Sequence, residues 1–166
     1  MGSLTETQKE FIEKSKDILT SEGMQMEKTF TQHNGTTVYD HSLGVAYSSY
    51  WLLKRLHIDF DEDALVRGAL LHDYFLYDWH VKEDYHKWHG FRHPGIALKR
   101  ASQDFEIGKI EANIIHRHMF PLTPIPPKYR EAIAVCLMDK VCACAEFLNI
   151  SYLNKGVRQE LVMGAA

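Results

Sequence analysis

The sequence predicts an all-α domain. Apolar residues recur at helical spacing in five or more segments. No stretch alternates apolar and polar residues in the manner of a half-buried strand. Short loops, several of them rich in Asn, Gly or Pro, separate the segments. A chain of 166 residues suits one domain, 1–166, with a compact multi-helix core at about 31–148.

Thr5 to Leu19 reads as an amphipathic helix with Phe11, Ile12, Ile18 and Leu19 on its apolar side. Gln25 to Phe30 suits a short second helix, and Gln32 to Thr37 a turn. Asp40 or Thr37 caps the next helix, which carries His41 through Leu56. The acidic run Asp59 to Asp63 starts a helix predicted to bear His72 and Asp73, and its charges suit a solvated helix start. Tyr74 to Arg92 is the least regular part. A helix restarts at His93-Pro94-Gly95, with proline in its first turn, and runs to about Ser102. Another spans Glu106 to His118. Three prolines in Met119 to Pro126, and Pro127 after them, break the pattern before a last helix, Arg130 to Leu148.

Composition excludes some classes. Hydrophobic residues make up 45% and charged residues 25%, an ordinary globular balance. A net charge of −3 argues against a nucleic-acid partner. No apolar run approaches the roughly 20 residues of a membrane span. No secretory pattern opens the chain, and the sixth position lacks the Ser or Thr of a myristoylation site, so the expected location is cytoplasmic. Cys136, Cys142 and Cys144 fall on one apolar segment and read as buried free thiols.

Histidine is the outlier, at 10 residues. His72 and Asp73 stand side by side after the apolar run Ala64 to Leu71. Neighbours on a helix lie about 100° apart, so both side chains reach one ion and the carboxylate keeps an oxygen for another. His41 shares a helical face with Gly44, Val45, Ser48 and Leu52, as a ligand or as a satisfied core histidine would. Asp139 has Val135, Cys136, Cys142 and Ala143 as helical neighbours. A carboxylate in that company costs several kcal/mol unless a cation faces it. A metal ion or a basic side chain from another helix would serve. His93 projects from the start of its helix. His118 falls on the stripe Ile107, Ile110, Ile114, whereas His116 turns toward the polar side, as a residue that supports a ligand from behind, a substrate contact or an exposed residue. Imidazole and carboxylate ligands with open positions suit Fe, Mn, Co, Zn or Mg in catalytic use.

His41, then His72-Asp73, then Asp139, on helices of one all-α domain, resembles the HD-domain superfamily of metal-dependent phosphohydrolases. The resemblance is to a small single-domain member of bacterial type and covers roughly Thr31 to Leu148. Tyr39-Asp40-His41-Ser42 and Leu70-Leu71-His72-Asp73 carry it locally. His93-Pro94 and the helix of His116 and His118 resemble members that hold two metals, including the HD-GYP phosphodiesterases. This chain lacks their Gly and Lys after the aspartate and their Gly-Tyr-Pro motif, so specificity for cyclic dinucleotides does not carry over. The resemblance implies that His41, His72, Asp73 and Asp139 hold a first divalent ion. Asp73 would bridge to a second, held by His93 and by His118 or His116. It implies a metal-activated water attacking phosphorus in a nucleotide or another small phosphate ester. A proton for the leaving oxygen would come from His116 or His80, and Arg92 would grip a phosphate oxygen or serve as a surface salt-bridge partner. His33 would lie at the pocket mouth. The rings from Tyr74 to Trp79, with Trp88 and Phe91, would stack a base or fill the core. Two other readings stand beside this one. Some HD-domain proteins use the same ligand set to hold two irons and oxidise a C–H bond with dioxygen, and a degenerate member would only bind a ligand or partner.

Overall fold

The computed structural model describes residues 4–33, 35–77, 88–152, 156–157 and 160, and among these the chain is seven helices and one two-stranded hairpin. The helices are α1 (Glu6–Leu19), α2 (Glu22–Met26), α3 (Val38–Arg55), α4 (Glu62–Leu70), α5 (His89–Asp104), α6 (Lys109–Arg117) and α7 (Arg130–Phe147). A single 3-10 turn, Glu27–Thr29, follows α2. Strands β1 (Thr31–His33) and β2 (Thr36–Thr37) pair antiparallel, where the sequence predicted only a turn. They are too short for alternation to register as a pattern.

Side chains fix where the helices start. Thr5 and Gln8 form a reciprocal capping box on α1: the Thr5 hydroxyl accepts from the Gln8 N–H, and the Gln8 amide oxygen accepts from the Thr5 N–H at 2.8 Å. Thr37 caps α3 by accepting from the Asp40 N–H at 3.1 Å, and Asp61 caps α4 by accepting from the Ala64 N–H at 2.9 Å. At the far end of α7, Asn149 takes a left-handed conformation. Its N–H donates to Glu146 O and that of Ile150 donates to Ala145 O, which closes the last turn.

Helix α3 is the hub, buried on most of its circumference, and it packs against α4 on one side and α7 on another. α6 lies across α4 and α7. Phe11, Tyr47 and Tyr50 meet as an aromatic cluster under α1, and Leu65, Leu70, Leu71, Ile114 and Val135 complete the core. Full burial of each such aliphatic side chain contributes about 1.5–3 kcal/mol. Close packing leaves Gly68 no room for a side chain: a Cβ there would lie 2.6 Å from Ile114 Cδ1.

Several expectations are corrected. α4 ends at Leu70, so His72 and Asp73 sit in the turn that follows it rather than on the helix. α5 begins at His89, which puts Pro94 inside the helix and His93 past its first turn. Its start is set by Trp88, left-handed at φ 65°, and Phe91 and Arg92 bond back to Trp88 O. Cys136 and Cys142 are buried, but Cys144 is exposed, because it lies on the side of α7 turned from the core.

Candidate metal centre

Five elements converge on one point. α3 supplies His41, the turn after α4 supplies His72 and Asp73, α5 supplies His93, the C-terminal cap of α6 is His118, and α7 supplies Asp139. All six are at most 9% exposed. Their atoms form two groups that share one carboxylate. His41, His72 and Asp73 offer donor atoms within 4.8 Å of one another, and Asp73, His93 and His118 do the same. Asp139 joins the first group, with Oδ1 3.1 Å from His41 Nε2 and 3.8 Å from His72 Nε2. Asp73 Oδ1 faces the second, 3.2 Å from His93 Nε2 and 3.5 Å from His118 Nε2.

The imidazoles are oriented from behind. His72 Nδ1 lies 2.7 Å from Ala69 O, His118 Nδ1 lies 2.8 Å from Ile115 O, and His41 Nδ1 lies 2.9 Å from Glu146 Oε1. Each rear oxygen can only accept, so each Nδ1 carries the proton and each Nε2 turns a lone pair inward. Those lone pairs meet carboxylate oxygens, or in one case another imidazole nitrogen: His93 Nε2 and His118 Nε2 are 2.7 Å apart. His72 Nε2 and Asp73 Oδ1 are buried with no hydrogen-bond partner. A cluster of buried acceptors such as this requires positive charge. Divalent cations on imidazole and carboxylate ligands satisfy that requirement, and the residues present therefore fit a metal.

The charge balance agrees. Burial works against ionising Asp73, but the imidazoles of His72 and His93 outweigh it and hold the carboxyl well below the usual range. Asp139 is likewise buried and held low by His41 and His72. Burial opposes a charge on His41, yet Asp139 and Glu146 push its pKa up to about 10. Without a metal, the first group would hold a proton at His41 in the place of the cation. His118 is pushed down to about 3 by burial and by the neighbouring His93 and His72, so it stays a neutral donor.

Comparison with known proteins places the chain in a family. The family profile described as HD domain matches residues 38–144, well over half of the chain. The chain belongs to the HD domain family. No curated protein and no solved structure matches it. The matched span of the HD domain contains all six converging residues.

A cavity of about 710 Å³ opens onto the second group, lined by Gln32, Asp73, His93, His118, Asp139 and Lys140 together with Gly90, Met119, Pro121, Leu122 and Ala143. His118 faces it as the stripe on α6 predicted. His116 does not: it lies on the exposed side of α6, because it stands two residues, about 200°, from the buried Ile114. Arg92 is also elsewhere. It is exposed on α5, one position before His93, and lines a shallow depression with Lys99 and Arg100. Trp88 and Phe91 pack on each other in solvent, whereas Tyr74 and Phe75 are core. His80, His86 and Trp79, and the side chains of His33 and His89, lie outside the described residues.

Four residues of the centre are additions to the sequence reading. Glu146 lies two turns beyond Asp139 on the same face of α7, a spacing that makes it legible in retrospect. Its carboxylate also accepts from the Tyr152 hydroxyl. Gly44 makes that reach possible, since a Cβ there would stand 2.4 Å from Tyr152 Cε2. Gln32, on β1, donates its amide N–H to Asp73 Oδ2 at 2.7 Å. Lys140 bends over the cavity wall, donating to His118 O at 2.7 Å and Cys136 O at 3.0 Å, with Nζ 3.7 Å from Asp139 Oδ2. Glu27 is fully buried with neither oxygen hydrogen-bonded. Burial, then the charge of Asp73, raises its pKa well above the usual carboxyl value.

Proposed function

We propose that this HD domain is a metal-dependent phosphohydrolase acting on a nucleotide or another small phosphate ester. The observation that carries the reading is the shared carboxylate: Asp73 belongs to both groups of buried donors, and with His93, His118 and Asp139 it lines one cavity. One or two divalent ions held there, by His41, His72, Asp73 and Asp139 and by Asp73, His93 and His118, would supply Lewis acidity and an acidified water.

The chain's own residues do the rest. Gln32 fixes the plane of Asp73 by donating to Oδ2. Ala69 O, Ile115 O and Glu146 hold three imidazoles with their Nε2 lone pairs inward. Met119, Pro121, Leu122 and Ala143 give the cavity an apolar wall that excludes bulk water and suits the organic half of an ester. Lys140 is the one lysine or arginine among the described lining residues, so its ammonium is the positive charge on the cavity wall that would attract a phosphoryl oxygen. His116 and Arg92 have no part in this arrangement, because both face solvent away from the cavity.

The test is phosphate release from a panel of nucleoside monophosphates and aryl phosphates, by protein stripped of metal and reloaded with Mn, Co, Fe, Zn or Mg. Metal-dependent release that Lys140→Met weakens mainly through KM supports the proposal. Inactivity on every phosphate by protein that retains iron would overturn it in favour of oxygen chemistry.

A further inference from the structure

Helix α7 carries apolar residues on every side, with Asp139 and Glu146 toward the metal centre, Arg130 and Glu131 in its first turn and Lys140 beside Asp139. Apolar residues on every side of a helix suit an interior position. Here one side is outside. Ile133, Leu137, Val141, Cys144 and Leu148 recur at spacings of four, four, three and four, and form a single stripe about 180° from Asp139. Every one of them is exposed, and Ile150 at 56% follows them beyond the end of the helix.

The other long helices behave differently. α1 presents Glu6, Lys9, Glu13, Lys16 and Asp17 to solvent, and α5 presents Arg92, Lys99 and Arg100. From Ile133 to Leu148 no exposed residue of α7 carries a charge. Arg130, at the head of the stripe, is drawn aside to donate to Asp59 O. The half-buried Lys140 at its edge bends toward His118 O.

We propose that this face of α7 is a homodimer interface, covered by the same face of a second copy across a two-fold axis. Length supports this occupant. The stripe runs unbroken from Ile133 to Leu148, about 22 Å of helix, with its four large apolar side chains each about half exposed or more, a length that the same stripe of a second α7 covers in full. Charge supports it too. A surface without charge offers nothing for an oppositely charged partner to recognise, but it is complementary to itself, as a two-fold interface must be. Antiparallel packing of two α7 helices also sets their dipoles in opposition, which is favourable.

The experiment is sedimentation of the metal-loaded full chain at micromolar concentration, for wild type, Leu137→Glu, Val141→Glu and, as a control on α3, Trp51→Glu. The expected mass for wild type and the Trp51 variant is twice the 19.2 kDa of the chain. For each α7 variant the expected mass is that of a single chain, with metal content and circular dichroism unchanged. Should a glutamate variant lose its fold, Leu137→Gln is read in its place, and alkylation of Cys144 should proceed several-fold faster in it than in wild type. A monomeric wild type overturns the proposal. So does a dimer that survives both α7 substitutions.

Discussion

His93 Nε2 stands 2.7 Å from His118 Nε2, and both face Oδ1 of Asp73. His118 Nδ1 is committed to Ile115 O, so its Nε2 carries no proton. Two ring nitrogens at that separation fit adjacent corners of one coordination sphere. His118→Ala should therefore lower the metal content by one ion per chain and leave the His41 side loaded. Elemental analysis against protein concentration reads this. An unchanged count would remove His118 from the ligand set.

Glu146 acts one step back from the metal. Its carboxylate accepts from His41 Nδ1 and so sets the direction of Nε2 toward Asp139. Loss of such a partner weakens metal binding by roughly 10–100-fold. Glu146→Ala should show that loss in a chelator competition while the fold, followed by circular dichroism, persists. An affinity equal to that of wild type would mean that the ring is held by packing alone.

Glu27 predicts a pH dependence. Its folded pKa is raised well above the ordinary 4.5. Between 4.5 and that raised value the folded state keeps a proton that the unfolded state releases, so stability falls as pH rises. Below 4.5 both states hold the proton and the effect vanishes. In metal-stripped protein, Glu27→Gln should melt above wild type near neutral pH and together with it at acid pH. Each kcal/mol relieved appears as about 2–4 °C in Tm for a chain of this size. A constant difference at every pH would contradict the buried, uncharged carboxyl.

Asp139 was legible in the sequence because a carboxylate among Val135, Cys136, Cys142 and Ala143 demands a cation. His118 was legible because it continues the stripe of Ile110 and Ile114. In both cases periodicity reports burial. His72 and Asp73 were legible as a pair, although the helix stops before them: adjacency in the chain survives a change from helix to turn, while the angle between the side chains does not. Gln32 and Lys140 left no comparable signal. Gln32 reaches Asp73 from a hairpin of a few residues, where no period exists to read. Lys140 reaches the cavity because a long flexible stem bends around α7 toward His118 O. Arg92 lies outside the cavity for a related reason. Adjacency to His93 puts it about 100° around α5, which is enough to turn it out of the cavity.

The central claim is that one carboxylate joins two metal positions, and metal analysis of Asp73→Ala tests it most directly. Wild type reloaded with a divalent metal should bind up to two ions per chain. The variant should retain close to none, since each group of donors loses a shared member. A variant that keeps full occupancy would contradict the account.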